Sequence, residues 1–168
     1  LLRLAYSTIR QYVRENKFPE YRPEGLHLSQ NRGAFVTIKK RGLLRGCIGF
    51  IEPVMPLYQA VMEAAVHAAC HDSRFRPVAP DELDDLKVEI SVLSPPQKIT
   101  DPQFVTVGKH GLVIEMNGKK GLLLPQVATE NKWDQITFLE QACLKAGLPK
   151  IAWRSGANIY VFEAIVFH

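Results

Sequence analysis

The chain of 168 residues holds 46% apolar and 23% charged residues, ordinary globular usage that excludes a disordered tail and a coiled coil. Its length supports one full hydrophobic core and a small extra lobe, so the expected organisation is a single domain over residues 1–168. The formal charge of +4 is unevenly spread: residues 1–50 carry ten Lys or Arg against three Glu, an excess that can steer an anionic partner such as a polynucleotide, although no nucleic-acid-binding signature accompanies it.

Leu2, Ala5, Ile9, Tyr12 and Val13 recur at helical spacing and predict an amphipathic helix over residues 1–16, closed by Pro19 and Pro23. From Ala34 to Phe50 the period shortens to two around Lys40, Arg41 and Gly42, which predicts a β-hairpin with a basic turn. Pro53 and Pro56 break that strand, and the small residues Ala60, Ala64, Ala65 and Ala68 mark a helix over residues 57–70 suited to close packing on a sheet. A loop, HDSRFRPVAP, and an acidic turn from Asp81 to Leu86 lead into a half-buried strand in which Val88, Ile90 and Val92 alternate with Glu89 and Ser91.

Asn117-Gly118 predicts a type I′ turn in a hairpin over residues 111–124. A third helix carries Phe138, Leu139, Ala142 and Cys143, with Asp134 as its cap and Gly147 and Pro149 as its stop. A last strand runs from Ile159 to Phe167. Hairpins outnumber βαβ units, so the expected fold is α+β, a mainly antiparallel sheet flanked by helices with a larger and a smaller lobe.

The segment LLRGCIGF, residues 43–50, is the most unusual in the chain. Strand alternation sends Leu44, Ile48 and Phe50 to the core and Arg45, Cys47 and Gly49 to the other surface. Gly46 and Gly49 remove bulk so that a ligand or a backbone can approach. A thiol beside a guanidinium gains thiolate character, which makes Cys47 the candidate nucleophile; the competing reading is a small buried hydrophobe beside a bulge. Glu89, on a neighbouring strand, is a candidate orienting or proton-accepting carboxylate, and His110 a candidate base.

Asp72, Arg74 and Phe75 supply an acid, a cation and a ring for a pocket rim or a packed corner. His67 and His71 lie one helical turn apart, but without a third ligand or a catalytic glutamate they do not define a metal site. Three cysteines, Cys47, Cys70 and Cys143, show no C-x-x-C spacing and read as thiols. No phosphate-cradling, dinucleotide-binding or nucleophile-elbow motif is present, and no cofactor is expected. No apolar run reaches the roughly 18 residues of a membrane span, and with no signal-peptide pattern legible from Leu1 onward the cytoplasm is the expected compartment.

Five ordered blocks, LRGCIG at 44–49, D-x-R-F-x-P from Asp72 to Pro77, VEISVLSP at 88–95, GLLLPQVA at 121–128 and the helix entry from Trp133 to Phe138, resemble the AMMECR-type domain family, named for a candidate region of the human AMME syndrome. The resemblance implies an α+β fold of two unequal lobes. It places the family's motif on Arg45, Gly46, Cys47, Gly49, Asp72, Arg74, Phe75, Glu89, Pro125, Gln126 and Trp133, and leaves His67 and His71 outside it. It also implies a prokaryotic setting beside, or fused to, Memo-like proteins and radical S-adenosylmethionine proteins, hence a modification system. No CxxxCxxC occurs here, so any radical cluster would belong to a partner. An adaptor that binds a protein partner without catalysis is the alternative.

Overall fold

The spacing of apolar residues along the first turns builds α1 (Leu2–Glu15), which buries Leu4, Ala5, Thr8 and Ile9. Asn16 ends it in the left-handed conformation at φ 54°, its amide returning to the Tyr12 carbonyl, so the helix stops before the prolines at 19 and 23 are reached. In this computed structural model, which describes all residues from Leu1 to His168, the chain divides into two units. One comprises Leu1–Leu93 with Ile165–His168, the other Ser94–Ala164.

The larger unit continues with the short α2 (Leu26–Ser29), β1 (Ala34–Lys40), β2 (Leu43–Phe50), α3 (Leu57–Val66) and β3 (Leu86–Leu93). Arg41 and Gly42 both take positive φ between β1 and β2, matching the right-handed twist of a tight hairpin. β1 pairs antiparallel with β2 on one side and β3 on the other, so β2 lies outermost of the three. α3 and α1 cover one face, where Val36, Ile38, Val88 and Ile90 meet Ala60, Ala64, Ala65 and Ala68. Alanines along α3 let its backbone sit close to the sheet. Full burial of each isoleucine contributes roughly 1.5–3 kcal/mol. The predicted helix to residue 70 does not stay α-helical: His67–His71 form a π-helical turn. A 3-10 turn, Pro80–Asp85, replaces the expected acidic turn.

The smaller unit holds β4 (Gln97–Ile99), β5 (His110–Met116), β6 (Lys119–Leu123), α4 (Pro125–Glu130), α5 (Gln135–Lys145) and β7 (Asn158–Phe167), the last strand ending beyond this unit's limit at Ala164. The antiparallel order is β6-β5-β7-β4. Asn117 and Gly118 both have positive φ at the β5–β6 turn. Asp134 accepts the Thr137 amide at 2.7 Å as the cap of α5. Phe138, Leu139, Ala142 and Cys143 pack on Leu112, Ile114 and Ile159. A Cβ at Gly121 would run into the backbone at Ala146, so only glycine lets α5 close on β6. The chain is thus α+β with antiparallel sheet and flanking helices in a larger and a smaller unit. No helix is long and apolar enough to cross a membrane.

Candidate functional site

The register of β2 against β1 decides where the LRGCIG side chains go. Cys47 lies opposite Thr37, Ile48 opposite Val36 and Gly46 opposite Ile38, but the next pair is Leu44 with Lys39, so Arg45 is the extra residue of a β-bulge. The bulge breaks the predicted alternation. Leu44, expected in the core, pairs with Lys39 and is 43% exposed. Arg45, expected beside the thiol, is sent to the segment after the π-turn. Ile48 and Phe50 do pack against the core as expected.

Arg45 is consumed by the protein's own acceptors. Its Nε and Nη2 donate to the Glu82 carboxylate at 3.2 and 2.9 Å, Nη1 donates to the Arg76 carbonyl at 2.8 Å, and Nη2 also reaches the Pro77 carbonyl at 3.3 Å. Glu82 further accepts from Lys40 Nζ and the Ala79 amide. Arg45 above all, then the Ala79 amide, pulls the Glu82 carboxyl from 4.5 to about 2. The guanidinium is therefore a strut holding residues 76–82 to the hairpin. Gly46 serves the same packing, since a Cβ there would collide with the Ala68 carbonyl. A Cβ at Gly49 would meet the Phe35 ring and the Ala34 carbonyl. At both glycines the approaching group is the protein itself.

Asp72 and Arg74 close the outer edge of β2 at Cys47. The Cys47 amide donates to Asp72 Oδ2 at 2.9 Å, and Arg74 Nη2 donates to the Cys47 carbonyl at 3.1 Å. The two side chains are joined by Arg74 Nε to Oδ1 at 2.9 Å and Nη2 to Oδ2 at 2.7 Å, while the guanidinium lies 5.4 Å from the Phe75 ring centroid. Asp72 is buried, and its bonds with Arg74, ahead of the Cys47 amide, hold its carboxyl well below the usual range. An edge strand offers unpaired peptide groups; here a carboxylate and a guanidinium take the place of another strand.

Across the sheet, Cys47, Thr37 and Glu89 form one row, because Thr37 is the register partner of both. The thiol Sγ lies 3.1 Å from Thr37 Oγ1. Glu89 does not adjoin Cys47, as the pairing of neighbouring strands would have required: β1 intervenes, and strands two apart are about 9–10 Å from one another. Glu89 accepts from Lys39 Nζ at 2.8 Å. Cys47 is half-buried, and burial raises the thiols of Cys70 and Cys143.

His110 and Gln126 fall in the smaller unit. The Thr106 amide donates to His110 Nδ1 at 3.1 Å, and Gln126 stands in the first turn of α4, its carbonyl accepting from Thr129. Trp133 packs against that unit's core. Of the residues that the sequence singles out, Cys47, Asp72, Arg74 and Phe75 are thus brought together, while Arg45 is turned to residues 76–82 and Glu89 lies two strands in. Thr37 and Glu82, the partners of the thiol and of the strut, were not anticipated; the polar Thr37 inside an otherwise apolar alternation was the available signal. Half of the ten cations of residues 1–50 are met internally: Arg10, Lys39, Lys40, Arg41 and Arg45 pair with Asp84, Glu89, Glu82 and Asp85.

His67 and His71 stack edge to face with centroids 5.4 Å apart, and no group of three potential ligands gathers around them. His67 instead lines a cavity of about 620 Å³ whose walls include Tyr21, Phe50, Met55 and Tyr58. That cavity lies away from Cys47 and was not foreseen.

Comparison with known proteins gives a consistent result. The sequence profile of the AMMECR1 family matches residues 2–167. A Methanopyrus kandleri protein is 47% identical over 177 residues, covering 99% of this chain and 86% of its own. A Methanothermobacter thermautotrophicus protein is 45% identical over 178 residues, covering 100% of this chain and 92% of its own. The crystal structure of an uncharacterized Pyrococcus horikoshii protein superposes with a TM-score of 0.94 at 40% identity, covering 98% of this chain and 87% of that one.

Proposed function

The chain belongs to the AMMECR1 family, and on that premise we propose that it is a cytoplasmic component of a modification system whose working surface is the sheet face around Thr37 and Cys47, with Cys47 as the nucleophile. The observation that carries this reading is the half-buried thiol 3.1 Å from the Thr37 hydroxyl on a strand whose edge is clamped at that same residue. The Thr37 hydroxyl at hydrogen-bond distance and the clamp together fix the position of the sulfur for attack. Glu89 shares the row of Thr37 and Cys47 two strands in and pairs with Lys39, so its role in this scheme is that of an orienting carboxylate on the same face. Arg74 and Phe75 form the rim. Arg45 and Asp72 act as positioning residues. His110, with Nδ1 engaged by the Thr106 amide, has no part in this scheme.

A second reading, a non-catalytic adaptor, is favoured by Leu43 and Leu44, 75% and 43% exposed at the tip of the same hairpin. Exposed leucines on one strand end suit a protein partner, for which a Memo-like protein or a radical S-adenosylmethionine protein is the candidate. Reconstitution with those two proteins separates the readings. Under the catalytic reading Cys47→Ser forms the complex but abolishes the modification seen by mass spectrometry. Under the adaptor reading Cys47→Ser works normally and Leu44→Asp prevents assembly. Absence of a complex with the wild-type chain refutes both.

A further inference from the structure

The cavity of about 620 Å³ in the larger unit lies within the size range of small-ligand pockets. Four rings, Phe18, Tyr21, Phe50 and Tyr58, and two thioethers, Met55 and Met62, make up most of its wall. Tyr21 and Tyr58 sit side by side with centroids 5.7 Å apart. The charge of the lining is one-sided: it contains a carboxylate, Glu63, and no Lys or Arg. Glu63 pairs with no permanent cation. Its partner is the His67 imidazole at 4.0 Å, the outer limit of an ion pair, and both side chains are less than half exposed to solvent.

We propose that this cavity binds a small organic cation, an ammonium carried on an aryl or alkyl body, with the charge against Glu63 and the body among the rings and thioethers. An anion would meet a carboxylate with no permanent cation beside it, and a neutral ligand without a hydrogen-bond donor would strip water from Glu63 without replacing it. A cation gains from the carboxylate and from the negative faces of the tyrosines and phenylalanines together. Methionine side chains adapt their shape to the apolar part.

The chain has three methionines, which makes the test specific. Met55 and Met62 line the cavity, and Met116 lies in the smaller unit as an internal control. With methyl-labelled methionine, titration of the full chain with benzyltrimethylammonium is expected to move the Met55 and Met62 methyl resonances saturably and leave Met116 in place. Phenylacetate, the anion of similar shape, is expected to move none of them. Glu63→Gln is expected to weaken the cation roughly tenfold, the scale of one partly screened charge–charge contact, while Glu63→Asp stays within a few-fold of wild type. Unmoved cavity methyls, equal shifts at all three methyls, phenylacetate binding as well as the cation, or unchanged affinity in Glu63→Gln would each overturn the proposal.

Discussion

Replacing Glu82 by Gln removes the charge that holds Arg45 while keeping the side chain's shape. Both partners are mostly buried, 15% and 17% exposed, so solvent screens the pair weakly. In the wild type the Glu82 carboxyl falls from 4.5 to about 2 on folding, chiefly through Arg45. At about 1.4 kcal/mol per pKa unit, the charged form contributes on the order of 3 kcal/mol to stability near neutral pH. A folded value below the unfolded one means that this contribution is complete above the unfolded value and is lost as pH falls toward 2. At about pH 3 roughly 1.4 kcal/mol should remain. Urea unfolding of wild type and Glu82→Gln across this range measures the difference directly, and Asp72, present in both proteins, cancels. A gap near 3 kcal/mol at neutral pH that narrows with acid is the expected result. A gap below about 1 kcal/mol, or one that does not change with pH, would refute the assignment of Arg45 as a strut.

The remaining expectations concern the same strand. Asp72→Asn should raise hydrogen exchange at the Cys47 amide well above its wild-type rate, because the carboxylate that accepts it and anchors Arg74 is lost; an unchanged rate would mean the clamp does not protect the edge. Gly46→Ala should destabilise by about 2 kcal/mol or more in a thermal melt, since its Cβ meets the Ala68 carbonyl backbone. Thr37→Val should slow alkylation of Cys47 about tenfold without a comparable change at Cys70, the signature of a lost hydrogen bond to sulfur. Arg45→Glu, by contrast, is a poor probe of binding: it places a second carboxylate against Glu82 and should unfold the hairpin edge first.

What could be read from the residues was local. Asn117-Gly118, the Arg41-Gly42 turn, the Asp134 cap and the face of α1 each depend on neighbours within a few positions, and all are where the pattern placed them. The five motif blocks likewise pointed to the family. A bulge was the competing reading of the glycines in this segment, but its position at Arg45 was not legible because it is a property of the register between two strands: only the pairing of β2 with Ile38 and Lys39 shows the extra residue. Glu82 lies 37 positions from Arg45 and was read as part of an acidic turn, its partner hidden by sequence distance. Thr37 became visible only when β1 was found between β2 and β3. The cavity draws residues from the proline-containing loop after α1, the end of β2, the loop that follows it, α3 and the π-helical turn, segments with no shared periodicity. The elements missed outright, α2, β4 and α4, span six residues or fewer, too short for a hydrophobic period to repeat.

The reading of Cys47 as the reactive group is tested most directly by site-resolved alkylation with iodoacetamide near neutral pH, each of the three cysteines followed by peptide mass spectrometry. Burial raises the other two thiols, and Cys47 has a hydroxyl at its sulfur, so Cys47 should be modified first and at least about tenfold faster than Cys70 and Cys143. Modification of Cys70 or Cys143 at an equal or greater rate would contradict the account.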